Sequence, residues 1–318
     1  MLILRSSIKF ILSLLPPAKT HTWLGAVCFH QKRGIVFAPA QAITLFARIS
    51  LVALMTLLST GAKAQPLKPR IITLTPHATE MVYAAGGGEA MVATVQASDF
   101  PQSARQLPRI GSGLGVEVEP ALAHRPTLIV GWPSPLLDRF KTLGFDTFTT
   151  DPRTLDDIPK EIDALGLALH TSDVATLTSQ NLRHRIQALP TVERKDPVKV
   201  VILADAEAGY AIGGEHILND VLKRCGAINV FGHQPAAAPL ISAESLWATQ
   251  PDLVIVGQRA KQTTANDTSP SPAPPLPAMM VGLKAQWLTV DADALFRPSP
   301  RFIDAATIIC KHLQLPTQ

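Results

Sequence analysis

Two stretches of this chain repeat each other at matched spacing, and the repeat narrows the folds open to it. EPALAHRPTLIVGW begins at Glu119 and ESLWATQPDLVIVGQ begins at Glu244. Each runs from Glu to Ala four residues on, Pro seven on and Leu nine on, then an apolar run closed by Gly131 or Gly257. Upstream of each lies a second apolar run of strand type, RIITLTP from Arg70 and KVVILAD from Lys199. Strand, helical stretch, Glu motif and second strand thus occur twice in one order. That order predicts two α/β lobes of similar build, each carrying a glutamate at an equivalent surface position. The grammar of helix, proline and buried strand is also common in α/β folds at large.

The predicted strands are Ile71–Thr75, Met91–Thr94, Leu128–Gly131, Phe145–Thr149, Val198–Ala204 and Leu253–Val256, with helical stretches over Thr79–Ala85, Val118–Ala123, Pro135–Leu143, Ala211–Cys225 and Ala243–Ala248. Strands alternating with helices predict parallel sheets of βαβ units. Between the lobes, Leu155, Ile158, Ile162, Leu165 and Leu169, then Leu177, Leu182, Ile186 and Leu189, recur at helical steps. Pro159 is tolerated near the start, Gly166 weakens the middle and Pro190 stops the run. The expectation is one long rigid connecting helix over residues 155–190, between an N-terminal lobe of residues 65–154 and a C-terminal lobe of residues 191–318. Residues 262–278, QTTANDTSPSPAPPLPA, are too polar and proline-rich to build a core and read as a loop within the second lobe.

Charge separates the first 64 residues from the rest. They hold seven Lys or Arg and no Asp or Glu; without them the chain's 29 basic residues fall to 22 against 25 acidic ones, a net charge near −3. The basic balance of the whole chain therefore belongs to this leader and gives no ground for a nucleic-acid partner. Arg48, the apolar run ISLVALMTLLST and the Ala62-Lys63-Ala64 site have the build of a secretory signal peptide, which predicts cleavage after Ala64 and export. The apolar run falls short of the roughly 20 residues of a membrane span. Residues 1–45 are a long prefix for such a signal, and Cys28, preceded by Val27, is poorly placed for a lipid anchor. Cys225 and Cys310 remain, without CxxC spacing, as one disulfide in an oxidising compartment or as two buried thiols.

RIITLTPHATEMVYAAGG, SDFPQSARQLPRIGS, the two Glu motifs, GEHILNDVLKRCGAINVF and RPSPRFIDAATIICKHL together carry a resemblance. Over nearly all of residues 70–315, with a gap at the proline-rich loop, the chain resembles the cobalamin-binding solute-binding proteins of ABC importers. Their wider family also takes haem and siderophores. The resemblance implies two Rossmann-like lobes joined by one rigid helix, a ligand cleft between them, a monomer, and a Cys225–Cys310 disulfide. It implies a non-catalytic carrier that docks on a two-fold permease dimer, itself driven by ATPase subunits, through Glu119 and Glu244. Without the family, those two glutamates read as solvated helix-start charges favoured by the helix dipole.

The family's ligand contacts map onto Pro76, Trp132, Tyr210, Asp293 and Arg297. Asp293 and Arg297 also read as an i,i+4 ion pair, and Trp132 as core. The chain departs from the family at Ala97, Gly113 and Ala238, where cleft aromatics are expected; Trp287 or Phe100 are candidates to compensate. His77, beside Pro76, is a candidate axial contact to cobalt or a capping residue at a helix start. A haem carrier would need a Tyr or His iron ligand, for which Tyr210 and His77 are the candidates. A secreted α/β enzyme is the contrasting class. The chain has no G-x-S-x-G elbow, P-loop or HExxH, and Gly86-Gly87-Gly88 follows a helix, where it reads as a stop and not a phosphate cradle.

Overall fold

The Glu repeat folds as the same unit twice. The computed structural model describes residues 69–112, 115–205, 207–259 and 282–314. The leader with its Ala64 site, Cys28, Gly113 and the 262–278 loop lie outside the described residues. In the first copy, α2 (Val118–Ala123) leads into β5 (Leu128–Gly131). In the second, α7 (Ala243–Thr249) leads into β10 (Leu253–Gln258). Both helices end in a left-handed residue six positions after the glutamate, Arg125 at φ 47° and Gln250 at φ 45°, each followed by proline. A left-handed residue ends a helix, and a following proline cannot resume it.

Each copy then joins a parallel sheet. In the first lobe β1 (Ile71–Thr73) lies between β2 (Met91–Ala93) and β5, with β6 (Asp146–Thr149) outermost, all parallel. In the second, β7 (Val198–Asp205) pairs in parallel with β9 (Ala227–Asn229) and β10, and antiparallel with the short β8 (Tyr210–Ala211). Beyond β10 lies β11 (Gln286–Asp291), parallel to it, a strand not anticipated from the sequence. The helix expected over Ala211–Cys225 is shorter, α6 at Leu218–Arg224, because the chain first pairs as β8. Buried Ile71, Ile72, Ile129, Val130, Val200, Ile202, Val254 and Ile255 form the sheets' apolar centre, as parallel strands covered on both faces require.

The stretch between the sheets differs from expectation. Residues 155–190 hold two packed helices, α4 (Asp157–Leu169) and α5 (Ser172–Gln187), and not one continuous helix. His170 turns left-handed at φ 58° and ends α4. A side chain at Gly166 would bring a Cβ within 2.2 Å of Ala175 Cβ, so glycine there allows the helices their close approach. The pair is tied by Asp163, which accepts from Ser179 Oγ at 2.5 Å and from Arg183 Nη2 at 2.6 Å. Apolar residues of both helices, including Leu165, Leu169, Leu182 and Ile186, share one buried cluster with Ile71, Met81, Val200 and Ile255. The hairpin is thus packed into the core of both lobes, which stiffens the connection more than an isolated helix would. Leu167 and Leu177 instead stay exposed.

Cys225 and Cys310 are joined as a disulfide, Cα atoms 5.3 Å apart, across α6 and the C-terminal α9 (Phe302–Leu313). With 85 residues of separation, the chain-entropy account gives roughly 4–5 kcal/mol of stabilisation. Both cysteines belong to the second lobe, so the bond does not span the two.

Candidate functional site

The parallel strands of both lobes point their carboxyl ends at one cleft of about 460 Å³, the place where open α/β sheets hold ligands. Pro76 follows β1, Trp132 follows β5, and Ala97 stands in the loop after β2. Across from them are Asp205 at the end of β7, Gly257 on β10, Arg259, and the short helix α8 (Ala292–Phe296), which contributes Asp293 and Phe296. Arg297 follows α8 and also lines the cavity.

The structure therefore brings Pro76, Trp132, Asp293 and Arg297 into one cavity with Ala97. It does not bring Tyr210 there: that residue lies on β8, in register with Asp205, outside the lining. Ala238 is exposed and also outside it. Trp287 packs against the core beneath β7 and β10, and Phe100 lies under the Arg301 guanidinium at 4.1 Å. Phe296, not singled out in the sequence, is the second aromatic of the cavity. Gly257 makes room for it, since an added Cβ would meet Phe296 Cε2 at 2.4 Å. Gly257→Ala is expected to cost about 1–3 kcal/mol by overpacking and to press Phe296 into the cleft; urea unfolding of the variant checks this.

Trp132 is 42 % exposed, with its ring stacked on His77 at 4.5 Å. His77 is buried, not a solvated cap. Its Nε2 donates to the Thr150 carbonyl at 3.3 Å, which fixes the proton there and leaves Nδ1 to accept from the Thr75 hydroxyl at 3.0 Å. Burial, helped by the nearby Arg297 charge, lowers its pKa to about 3 against the pull of the Thr150 bond. With both nitrogens committed within the protein, His77 offers no lone pair to a metal in the cleft. It is the neutral platform beneath Trp132.

Arg297 was expected to face a ligand's periphery, yet its donors are used inside the protein. Nη1 bonds Asp99 at 2.6 Å and Glu80 at 3.4 Å; Nη2 bonds Asp293 at 2.7 Å and the Ala97 carbonyl at 3.2 Å. The residue is 9 % exposed. Burial raises the Asp293 pKa, with Asp99 adding to it and Arg297 opposing. Asp205 accepts from the Glu207 and Ala208 amides through Oδ1. Glu80, Asp99, Asp205 and Arg301 were not recognised from the sequence; the one signal was a charged Glu80 inside the apolar run of PHATEMVYAAGG.

Glu119 and Glu244 are exposed, each in the first turn of its helix. The amide and the Ser242 hydroxyl at the start of α7 hold the Glu244 pKa below the usual carboxylate value.

Comparison with known proteins places this geometry. Residues 71–270 match the family model of periplasmic binding proteins. The chain is 29 % identical over 276 residues to the vitamin B12-binding protein of Yersinia pseudotuberculosis serotype O:1b, covering 85 % of this chain and 94 % of that one. Among solved structures it is similar to the periplasmic vitamin B12-binding protein of Vibrio cholerae, at 27 % identity and a TM-score of 0.64, over 77 % of this chain and 96 % of that one. A periplasmic haem-binding protein in complex with two haems shares the fold at 20 % identity and a TM-score of 0.63, over 77 % and 97 %.

Proposed function

From the premise that this chain belongs to the periplasmic binding protein family, we propose that it is an exported carrier of cobalamin or a related corrinoid. It captures the ligand between the lobes, converts it into nothing else, and delivers it to an ABC import permease dimer and its ATPase subunits. Signal cleavage after Ala64, a monomeric periplasmic form and the disulfide's persistence in an oxidising compartment belong to the same reading. So do the boundaries of two lobes at residues 65–154 and 191–318.

The observation that carries the ligand class is the charge of the cleft. Both arginines lining it are paired: Arg297 with Asp99, Glu80 and Asp293, and Arg259 with Asp293 at 3.6 Å. The carboxylates Asp205 and Asp293 share the wall with them. A corrin ring edged with neutral amides offers N–H donors to carboxylates, and its flat face suits Trp132 and Phe296. Haem brings carboxylates of its own, for which the paired Arg259 and Arg297 offer no uncommitted counter-charge, and it wants an iron ligand that His77 is not free to supply. Glu119 and Glu244 are the proposed contacts to the permease. Pro76, Trp132, Phe296, Asp205 and Asp293 are the proposed contacts to the ligand.

Asp205→Lys tests the charge reading. Cyanocobalamin affinity should fall about tenfold, which is about 1.4 kcal/mol, while haemin binding strengthens. Unchanged preference for both would remove the basis for choosing a corrinoid.

A further inference from the structure

Glu80 is 4 % exposed, and the side chains that bond its carboxylate come from the other lobe. Ser299 Oγ donates to Oε2 at 2.6 Å, Arg301 Nε donates to Oε2 at 3.0 Å, Arg301 Nη2 donates to Oε1, and Arg297 Nη1 lies 3.4 Å from Oε1. Glu80 sits on α1 (Pro76–Ala84), one turn from Pro76 and His77 in the cleft wall. Its three partners follow directly on α8, which carries Asp293 and Phe296 in the opposite wall. A second line of contact runs beside it. Arg297 reaches Asp99 and the Ala97 carbonyl, and Arg301 lies over Phe100. The 97–100 segment is itself pinned by Ser98 Oγ, bonded to Thr79 at 2.8 Å and Thr94 at 2.7 Å in a buried hydroxyl cluster.

We propose that Glu80 is a positioning residue that clamps the two lobes together and sets the width of the ligand cleft. The disulfide cannot do this, since it lies within one lobe, and the α4–α5 hairpin ties to each lobe separately, Thr171 Oγ1 donating to the Ala85 carbonyl at 2.6 Å and Arg185 pairing with Asp304 at 2.6 Å. A buried carboxylate with two guanidiniums holds only while the surfaces stay closed. Remove the carboxylate charge, and Arg301 loses its ion-pair partner between the lobes while Arg297 keeps Asp99 and Asp293, a state relieved by admitting water beside Arg301. The clamp therefore makes a closed cleft the resting state, so that ligand meets a preformed site and leaves it slowly.

The test uses the full-length protein exported and purified from the periplasm, spin-labelled at Lys141→Cys on α3 (Pro135–Thr142) and Ala248→Cys on α7, both exposed. The parent should give one narrow interlabel distance distribution. Glu80→Gln should broaden it and speed cyanocobalamin dissociation about tenfold, with little change in association. Arg301→Gln, a milder break in the same clamp, should do both to a smaller degree and carries the test if Glu80→Gln does not fold. An unbroadened distribution and a parent-like dissociation rate in the folded variants, even with a lowered thermal midpoint, would reduce Glu80 to a stability residue and overturn the proposal. The dissociation measurement rests on the corrinoid reading. If the parent itself binds no cyanocobalamin, that reading fails, and the distance distributions alone decide the clamp.

Discussion

Cells carrying Glu119→Ala together with Glu244→Ala are expected to take up cyanocobalamin at least tenfold more slowly than the parent, while the purified variant binds it with unchanged affinity. The two residues stand at the same step of a repeated unit: first turn of a short helix, left-handed residue six positions on, proline, then a parallel strand feeding the cleft. Neither lines the cavity, so ligand affinity has no reason to change. Two equivalent charges on two similar lobes suit a partner with two-fold symmetry. Exposed charges of this sort act chiefly on encounter rate and orientation. Each single substitution should therefore slow uptake only in part, and both together should remove the orientation. Uptake at the parent's rate by the double variant would show that the repeated glutamates are helix-start charges and nothing more.

The second large effect is acid sensitivity. His77 and His216 are held neutral in the fold, with pKa values lowered by burial to about 3 and about 4; the Arg153 charge adds to the effect at His216. Unfolded, each titrates near 6.5. The unfolded chain therefore takes up protons first as pH falls. Stability from these two groups is complete above about pH 6.5 and is lost on descending toward their folded values. Between pH 7 and pH 4 His77 alone should account for a loss of about 3 kcal/mol. Glu161 and Asp293, whose pKa values are raised chiefly by burial, work in the opposite sense and return some stability as they protonate. Urea unfolding at pH 7 and pH 4 checks the balance: the midpoint should drop at pH 4, and His77→Gln should flatten the drop. Equal slopes with and without His77 would contradict the buried neutral ring described here.

Much of the architecture was legible because local signals and tertiary demands agree. The apolar runs at Ile71, Leu128, Val198 and Leu253 became parallel strands, and the spacing of the Glu motifs became a structural repeat. The break between α4 and α5 was not legible. Its turn is made by His170 without glycine or proline, and the apolar spacing runs through it. Gly166, read as a helix weakener, is instead a point of close helix contact. Strand β11 was hidden because Gln286, Thr289 and Asp291 break its apolar run, unlike the continuous LVIVG at Leu253.

The site divides in the same way. Pro76, Trp132 and Asp293 reach the cleft where expected, because strand ends deliver them there. Tyr210 lies outside the lining, on the short antiparallel β8 opposite Asp205. Glu80 lies more than 200 residues from Ser299 and Arg301 in sequence and meets them only in the folded chain. Local pattern holds no trace of such a pairing.

The central claim is that this cleft holds a corrinoid. Calorimetric titration of the exported, purified protein with cyanocobalamin, with haemin run in parallel, tests it most directly. The account predicts one-to-one binding of cyanocobalamin and much weaker heat with haemin; tight haemin binding with none for cyanocobalamin would contradict it.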